Sequence, residues 1–131
     1  MTEGYVVGIK KAAKDNDFFR KVLFTGTKSQ LVLMSLRPGE EIGAEVHKVD
    51  QVLYVVDGEG SVVLGGVDKE FVKGEIVFVP AGVRHNVINT GVEPMKLFTI
   101  YAPPQHAPGT VHRTKAVAEE AEREAHASAS A

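Results

Sequence analysis

Apolar residues in this chain fall in short runs separated by turn-forming residues. The runs are Tyr5–Ile9, Leu31–Leu36, Val52–Val56, Ser61–Leu64, Ile76–Val79, Val87–Asn89 and Leu97–Tyr101. Each has the length of a strand, and β-branched and aromatic residues dominate. Thirteen Gly and six Pro separate them as far as residue 109 and then stop. Arg37-Pro38-Gly39, Asp57-Gly58-Glu59-Gly60 and Gly65-Gly66 supply the backbone angles that reversals require. Val62–Leu64, Gly65-Gly66 and Val67–Val72 read as a hairpin. Strands this short and this regularly spaced predict an all-β sandwich or barrel.

The end of the chain departs from the pattern. Arg113–Ala131 holds no Gly or Pro and is rich in Ala and Glu, so it predicts a helix. Glu119 and Arg123 stand four apart, in the favourable order for an ion pair. The apolar stripe is Val117 plus alanines, which predicts a largely solvated helix. Three parts follow: an N-terminal strand and connector at 1–29, a β core at 30–102, and a tail at 103–131.

With 131 residues the chain suits one domain. Fifteen basic and 17 acidic side chains leave a net charge of −2, which predicts neither a nucleic-acid nor an anionic-membrane partner. Zero cysteine excludes disulfides, thiolate metal sites and a cysteine nucleophile. No apolar run approaches the roughly 18 residues of a membrane helix. Met1–Tyr5 lacks the basic region of a secretory signal, so the expectation is a soluble, cytoplasmic protein.

Two segments carry candidate chemistry. The first runs from Gly39 through Glu45, His47 and Gln51 to Gly58. Glu45 and His47, two apart, would share one face of a strand. The second runs from Gly74 through Pro80, Gly82 and His85 to Asn89. There a buried strand enters a Pro-x-Gly turn that presents His85.

Both segments resemble the two motifs of the cupin superfamily. Gly74, Pro80, Gly82, His85 and Asn89 fill every specified position of the second motif, G-x5-P-x-G-x2-H-x3-N. In the first, G-x5-H-x-H-x3,4-E-x6-G, Gly39, His47 and Gly58 match. Glu45 stands where the family usually has its first His, and Gln51 where it usually has Glu. The resemblance covers roughly residues 30–102. It implies a small cupin-type jelly-roll β-barrel with a short C-terminal helix and a metal in its mouth. Its ligand positions would be Glu45, His47, Gln51 and His85.

The residues support this independently of the family. Glu45, His47 and His85 form a two-His, one-carboxylate set of the kind that suits non-haem iron. Fe, Mn, Ni and Zn all remain open, because no sulfur ligand narrows the choice. Glu45 can serve as ligand or as general base. Gln51 can ligate through its amide oxygen or support a ligand from behind. Arg84 is expected at the rim, and His106, His112 and His126 at the surface of the tail.

Three functions follow. The first is a non-haem dioxygenase acting on a small oxygen-rich molecule. The second is a metal-dependent sugar or sugar-acid isomerase or lyase. The third is a non-catalytic small-molecule-binding module. The resemblance also implies a homodimer, with Tyr5–Ile9 available for exchange between subunits.

Overall fold

The structure is a computed structural model. It describes residues 3–130, with side chains as far as 125. In chain order its elements are α1 (Ile9–Asp15), β1 (Arg20–Thr25), β2 (Gln30–Leu36), β3 (Asp50–Asp57), β4 (Glu59–Leu64), β5 (Val67–Val72), β6 (Ile76–Val79), β7 (His85–Asn89), β8 (Met95–Ala102), β9 (Val111–His112) and α2 (Lys115–Ser130). The strands form two antiparallel sheets, one of six strands ordered β6-β3-β8-β2-β1-β9 and one of three ordered β5-β4-β7. The sheets face each other as a jelly roll. The hairpin expected at Gly65-Gly66 is present, with Leu64 opposite Val67.

Strand alternation builds the core. Along β3, Gln51, Leu53 and Val55 point inward and are buried, while Val52 and Tyr54 are partly exposed on the outer face. Leu53, Val55, Met34, Leu36 and Leu97 of the large sheet meet Val62, Phe71 and Val87 of the small one. Toward one end the inward residues become polar. Gln30, Tyr101 and Gln51 lie in one register row, next to a row with Val32, Thr99 and Leu53. This change from apolar to polar marks the mouth of the jelly roll.

Two expectations for the N-terminal part fail. Tyr5–Ile9 joins no ladder, and Ile9–Asp15 is helical. The helix α1 lies on the outer face of the large sheet, with Ala13 packed against Leu33 and Val56. The helix, within the part expected to be strand and connector, carries Ile9, Ala12 and Ala13 on one face, a helical period hidden by the lysines between them. Lys96 closes the packing by donating to Asn16 O and lying 3.1 Å from Asp17 Oδ1. Strands β1 and β9 were not anticipated either.

Asn89 is fully buried and ties the loops at the closed end together. Its Nδ2 donates to Leu36 O and Glu93 O at 3.0 and 2.9 Å, and its Oδ1 accepts from Gly91 N at 2.9 Å. Asn89→Ala leaves three backbone groups unpaired in or near the core. It should lower the unfolding free energy by about 2–4 kcal/mol in urea denaturation. A loss below about 0.5 kcal/mol would contradict this structural role.

Candidate metal centre

The two motif segments meet across the gap between the sheets. Residues 40–49 do not form the regular strand expected for Glu45 and His47. They run as an extended crossing segment with isolated bridges at Glu41↔Ile88 and Glu45↔His85. From Glu41 to Glu45 is four residues, but from Ile88 to His85 is three, so the crossing carries one extra residue. Gly43, at φ +109°, absorbs it, and its N–H donates to Asn86 Oδ1 at 2.9 Å. Glu45 and His85 then exchange both backbone hydrogen bonds, each 2.9 Å. Such a pair brings two side chains onto one face about 5.5 Å apart.

His47 is held by the second motif. Pro80–Val83 is a turn closed by Val83 N donating to Pro80 O, with Gly82 at φ +87° in the third position. Gly82 N donates to His47 O at 2.8 Å, and Ala81 N donates to Asp50 Oδ1 at 2.9 Å. The Pro-x-Gly turn therefore positions both His85, which follows it, and His47, which it grips.

Glu45, His47 and His85 offer ligand atoms that all lie within 4.8 Å of one another. The His47 and His85 rings are 5.3 Å apart. Ring atom Nδ1 of His85 lies 3.0 Å from Val83 O, so it carries the proton and leaves the lone pair on Nε2. That Nε2 is buried and has no hydrogen-bond partner among the described residues. The same holds for His47 Nε2 and for Gln51 Oε1. Gln51 Nε2 donates to Thr99 Oγ1 at 3.1 Å, which leaves the oxygen as the unused atom. Buried polar atoms are rarely left unpaired, because each such vacancy costs about 1–3 kcal/mol. Two buried imidazole nitrogens and an amide oxygen without hydrogen-bond partners, beside a carboxylate, fit a divalent cation.

The electrostatics agree. Burial opposes ionisation of Glu45, but the nearby His47 ring, with Arg20 and His85 behind it, outweighs burial and holds its carboxyl below the usual range. His47 Nε2 lies 3.4 Å from Glu45 Oε2. Glu45 is thus an anion at neutral pH, as a metal ligand must be.

Several residues around the centre escaped the sequence reading. Arg20, on β1, is buried, stacks on the Phe19 ring and forms no ion pair among the described residues. Its Nη1 lies 3.0 Å from His112 Nδ1, which must accept, since guanidinium only donates. His106 sits over Tyr101 in edge contact, and Tyr101 meets His47 the same way. Gln30 clamps the loop carrying His106, accepting from Gln105 N and His106 N and donating to His106 O. The period-two alternation of Arg20 with Val22 was a usable signal. Nothing in the sequence around His106 announced it. His106 and His112, expected at the surface, are half-buried and engaged with Tyr101 and Arg20, while the side chain of His126 lies outside the described residues. Arg84 is exposed.

The C-terminal helix is also less solvated than expected. Ala118 joins the core, and Glu122 and Ala125 line a cavity of about 440 Å³ with Glu45, Val46, His47, Gln105 and His106. The expected Glu119–Arg123 pair is replaced by Arg123 with Glu120, at 2.6 Å.

Burial, then Arg20, pushes the His106 pKa down to about 3, and the same two causes lower that of His112. Burial pushes the Tyr101 hydroxyl up, reinforced by the charges of Glu45 and Glu122 against the opposing pull of Arg20. Unfolding returns both histidines to about 6.5. The unfolded chain therefore binds more protons, and stability present above pH 6.5 is lost as pH falls below it. In chelator-treated protein, His106→Gln should flatten this decline between about pH 6.5 and 4.5. The slope should drop by up to about 1.4 kcal/mol per pH unit. An unchanged slope would show that His106 is protonated in the folded chain.

Residues 32–101 match the family model described as "Cupin domain". The chain is 48% identical over 125 residues to the uncharacterised protein YrkC of Bacillus subtilis, covering 90% of this chain and 67% of that one. A crystal structure of BH2720 from Bacillus halodurans superposes with a TM-score of 0.88 at 44% identity, covering 91% of this chain and 98% of that one. A Thermotoga maritima protein described as a predicted oxalate decarboxylase superposes with a TM-score of 0.56 at 26% identity, covering 57% of this chain and 67% of that one.

Proposed function

Since the chain belongs to the cupin family, we propose that it is a metal-dependent oxygenase acting on a small, oxygen-rich molecule in the mouth of its jelly roll. The observation that carries the reading is the convergence of Glu45, His47 and His85, with two buried imidazole Nε2 atoms and the buried Gln51 Oε1 left without partners among the described residues. His47, His85 and Glu45 would hold the ion, with Gln51 as a fourth, weaker oxygen donor. Iron is the metal such a set favours, with Mn, Ni and Zn as competitors. When bound, the ion supplies Lewis acidity and a centre at which dioxygen can be activated.

The protein's own contribution is a prepared pocket. A cavity of about 440 Å³ suits a small molecule. Glu45 is anionic and can accept a proton from a hydroxyl arriving beside it. His106, which lines the cavity, is neutral, so it can orient a ligand through a hydrogen bond without adding charge.

Two measurements test this. Protein purified without added metal and then offered Fe, Mn, Ni and Zn should hold about one ion per chain, and His85→Ala should lower occupancy at least about tenfold. No binding of any of the four would sink the metal reading. Iron-loaded protein should consume oxygen with one member of a catechol, thiol and diketone panel. Anaerobic turnover of a sugar acid would point instead to an isomerase or lyase. Thermal stabilisation by a ligand without turnover would point to a binding module. No helix among the described residues is long and apolar enough to cross a membrane, and a cytoplasmic site of action is part of the proposal.

We also propose that the protein is a homodimer. On the outer face of the large sheet, register aligns Phe78, Val52, Ile100, Leu31 and Phe24 in one row across five strands. Tyr5 stacks on Phe24 at its end, 5.1 Å between rings, and extends the row. The row is uncharged, and Phe78 and Ile100 are exposed. A two-fold axis through Ile100 would lay the row on its own copy. Ile100→Arg should yield a folded monomer by analytical ultracentrifugation. Wild-type protein sedimenting as a monomer would contradict the pairing.

A further inference from the structure

The helix α2 is amphipathic in an unusual way. Ala118, Glu122 and Ala125 lie on one face, four and seven residues apart, with Ala121 beside them. Ala118 is buried in the core, which fixes that face toward the jelly roll. Glu122 is exposed, as are Glu119, Glu120, Arg123 and Glu124, but those four do not line the cavity, and Glu120 and Arg123 are paired. Of the helix's four described glutamates only Glu122 lines the cavity over the metal-binding residues. The helix is anchored close by: Thr114 Oγ1 accepts from Val117 N, and His112, three residues before α2, is bonded to buried Arg20.

The cavity thus holds two carboxylates from different parts of the chain. Glu45 belongs to the ligand cluster, beside the buried Nε2 of His47. Glu122, contributed by α2, is not part of that cluster and forms no ion pair among the described residues. Its charge is felt at Tyr101, which is buried beneath His106. Val46, Gln105 and His106 line the same cavity.

We propose that Glu122 is a specificity residue of this cavity. Its ligand is a small molecule that chelates the metal through oxygens at one end and presents a hydrogen-bond donor, hydroxyl or ammonium, at the other. The inference rests on the metal-binding reading above and deepens it by naming the substrate class. A carboxylate at the far end of a chelating ligand faces Glu122 and is repelled. An ammonium is attracted, and a hydroxyl donates to the carboxylate oxygen. The alanines around Glu122 leave room for that far end.

The probes are three hydroxamates sharing one chelating head: acetohydroxamate, β-alanine hydroxamate with a distal ammonium, and succinate monohydroxamate with a distal carboxylate. Each is titrated into the full-length cobalt(II)-loaded protein and followed by the cobalt visible spectrum. The ammonium-ended probe should bind wild-type protein about tenfold tighter than the carboxylate-ended one. Glu122→Gln should bring that ratio close to one, and Glu122→Lys should invert it. Glu124→Gln, the same charge change on the outward face, should leave it as in wild type. The same ratio in wild type and Glu122→Gln, or equal effects of Glu122→Gln and Glu124→Gln, would overturn the proposal. So would cobalt-loaded protein that takes up none of the three probes. In each of these outcomes the metal reading stands. Failure to bind cobalt(II) would instead bring down the metal reading and this inference together.

Discussion

The reciprocal backbone pair between Glu45 and His85 is the contact on which the site depends. It joins a segment connecting two strands of the large sheet to the first residue of β7, at the edge of the small one. The β3–β6 ladder joins the two motif segments elsewhere, but without this pair the Glu45 and His85 side chains would have no fixed distance between them. With it, and with Gly82 holding the His47 carbonyl, three ligand atoms fall within 4.8 Å. The turn glycines matter here because they set the register of that crossing, and a slip of one residue would turn Glu45 away from His85.

This geometry creates a demand that the protein alone does not meet. Two imidazole lone pairs and an amide oxygen are buried without donors, beside a carboxylate kept ionised. A hydrophobic interior could have been built from the same strands, as the rows deeper in the jelly roll show. Retaining unpaired acceptors at one end is costly unless a cation fills the space between them. Arg20 adds positive charge from behind, with its Nη1 engaged by His112, and forms no ion pair with Glu45. Arg20 serves better as the charge that keeps the neighbouring histidines neutral and the mouth's polar layer in place.

Much of this was legible in the residues. The strands from Leu31 to Tyr101, the Gly65-Gly66 hairpin and the cupin resemblance followed from period-two alternation and turn chemistry. The structure brings together the three residues Glu45, His47 and His85, and leaves the buried Gln51 oxygen without a partner among the described residues. What escaped was contributed from outside the motifs. Helix α1 was hidden because its apolar residues are few and separated by lysines. Strand β1 was hidden because its start, Arg20, is a buried charge that looks like a connector. Glu122 and His106 reach the cavity through tertiary placement, which no local pattern encodes. The crossing segment was read as a strand because residues two apart on a strand share a face, whereas here a bulge at Gly43 and isolated bridges achieve the same convergence.

The central claim is that two imidazoles and oxygen donors, rather than three histidines or an empty polar pocket, hold one metal ion. X-ray absorption spectroscopy of the iron- or zinc-loaded protein counts imidazoles directly through their outer-shell scattering. The account predicts two imidazoles per metal, with all remaining near neighbours oxygen. Three or more imidazoles, which would recruit His106, or none at all, would contradict it.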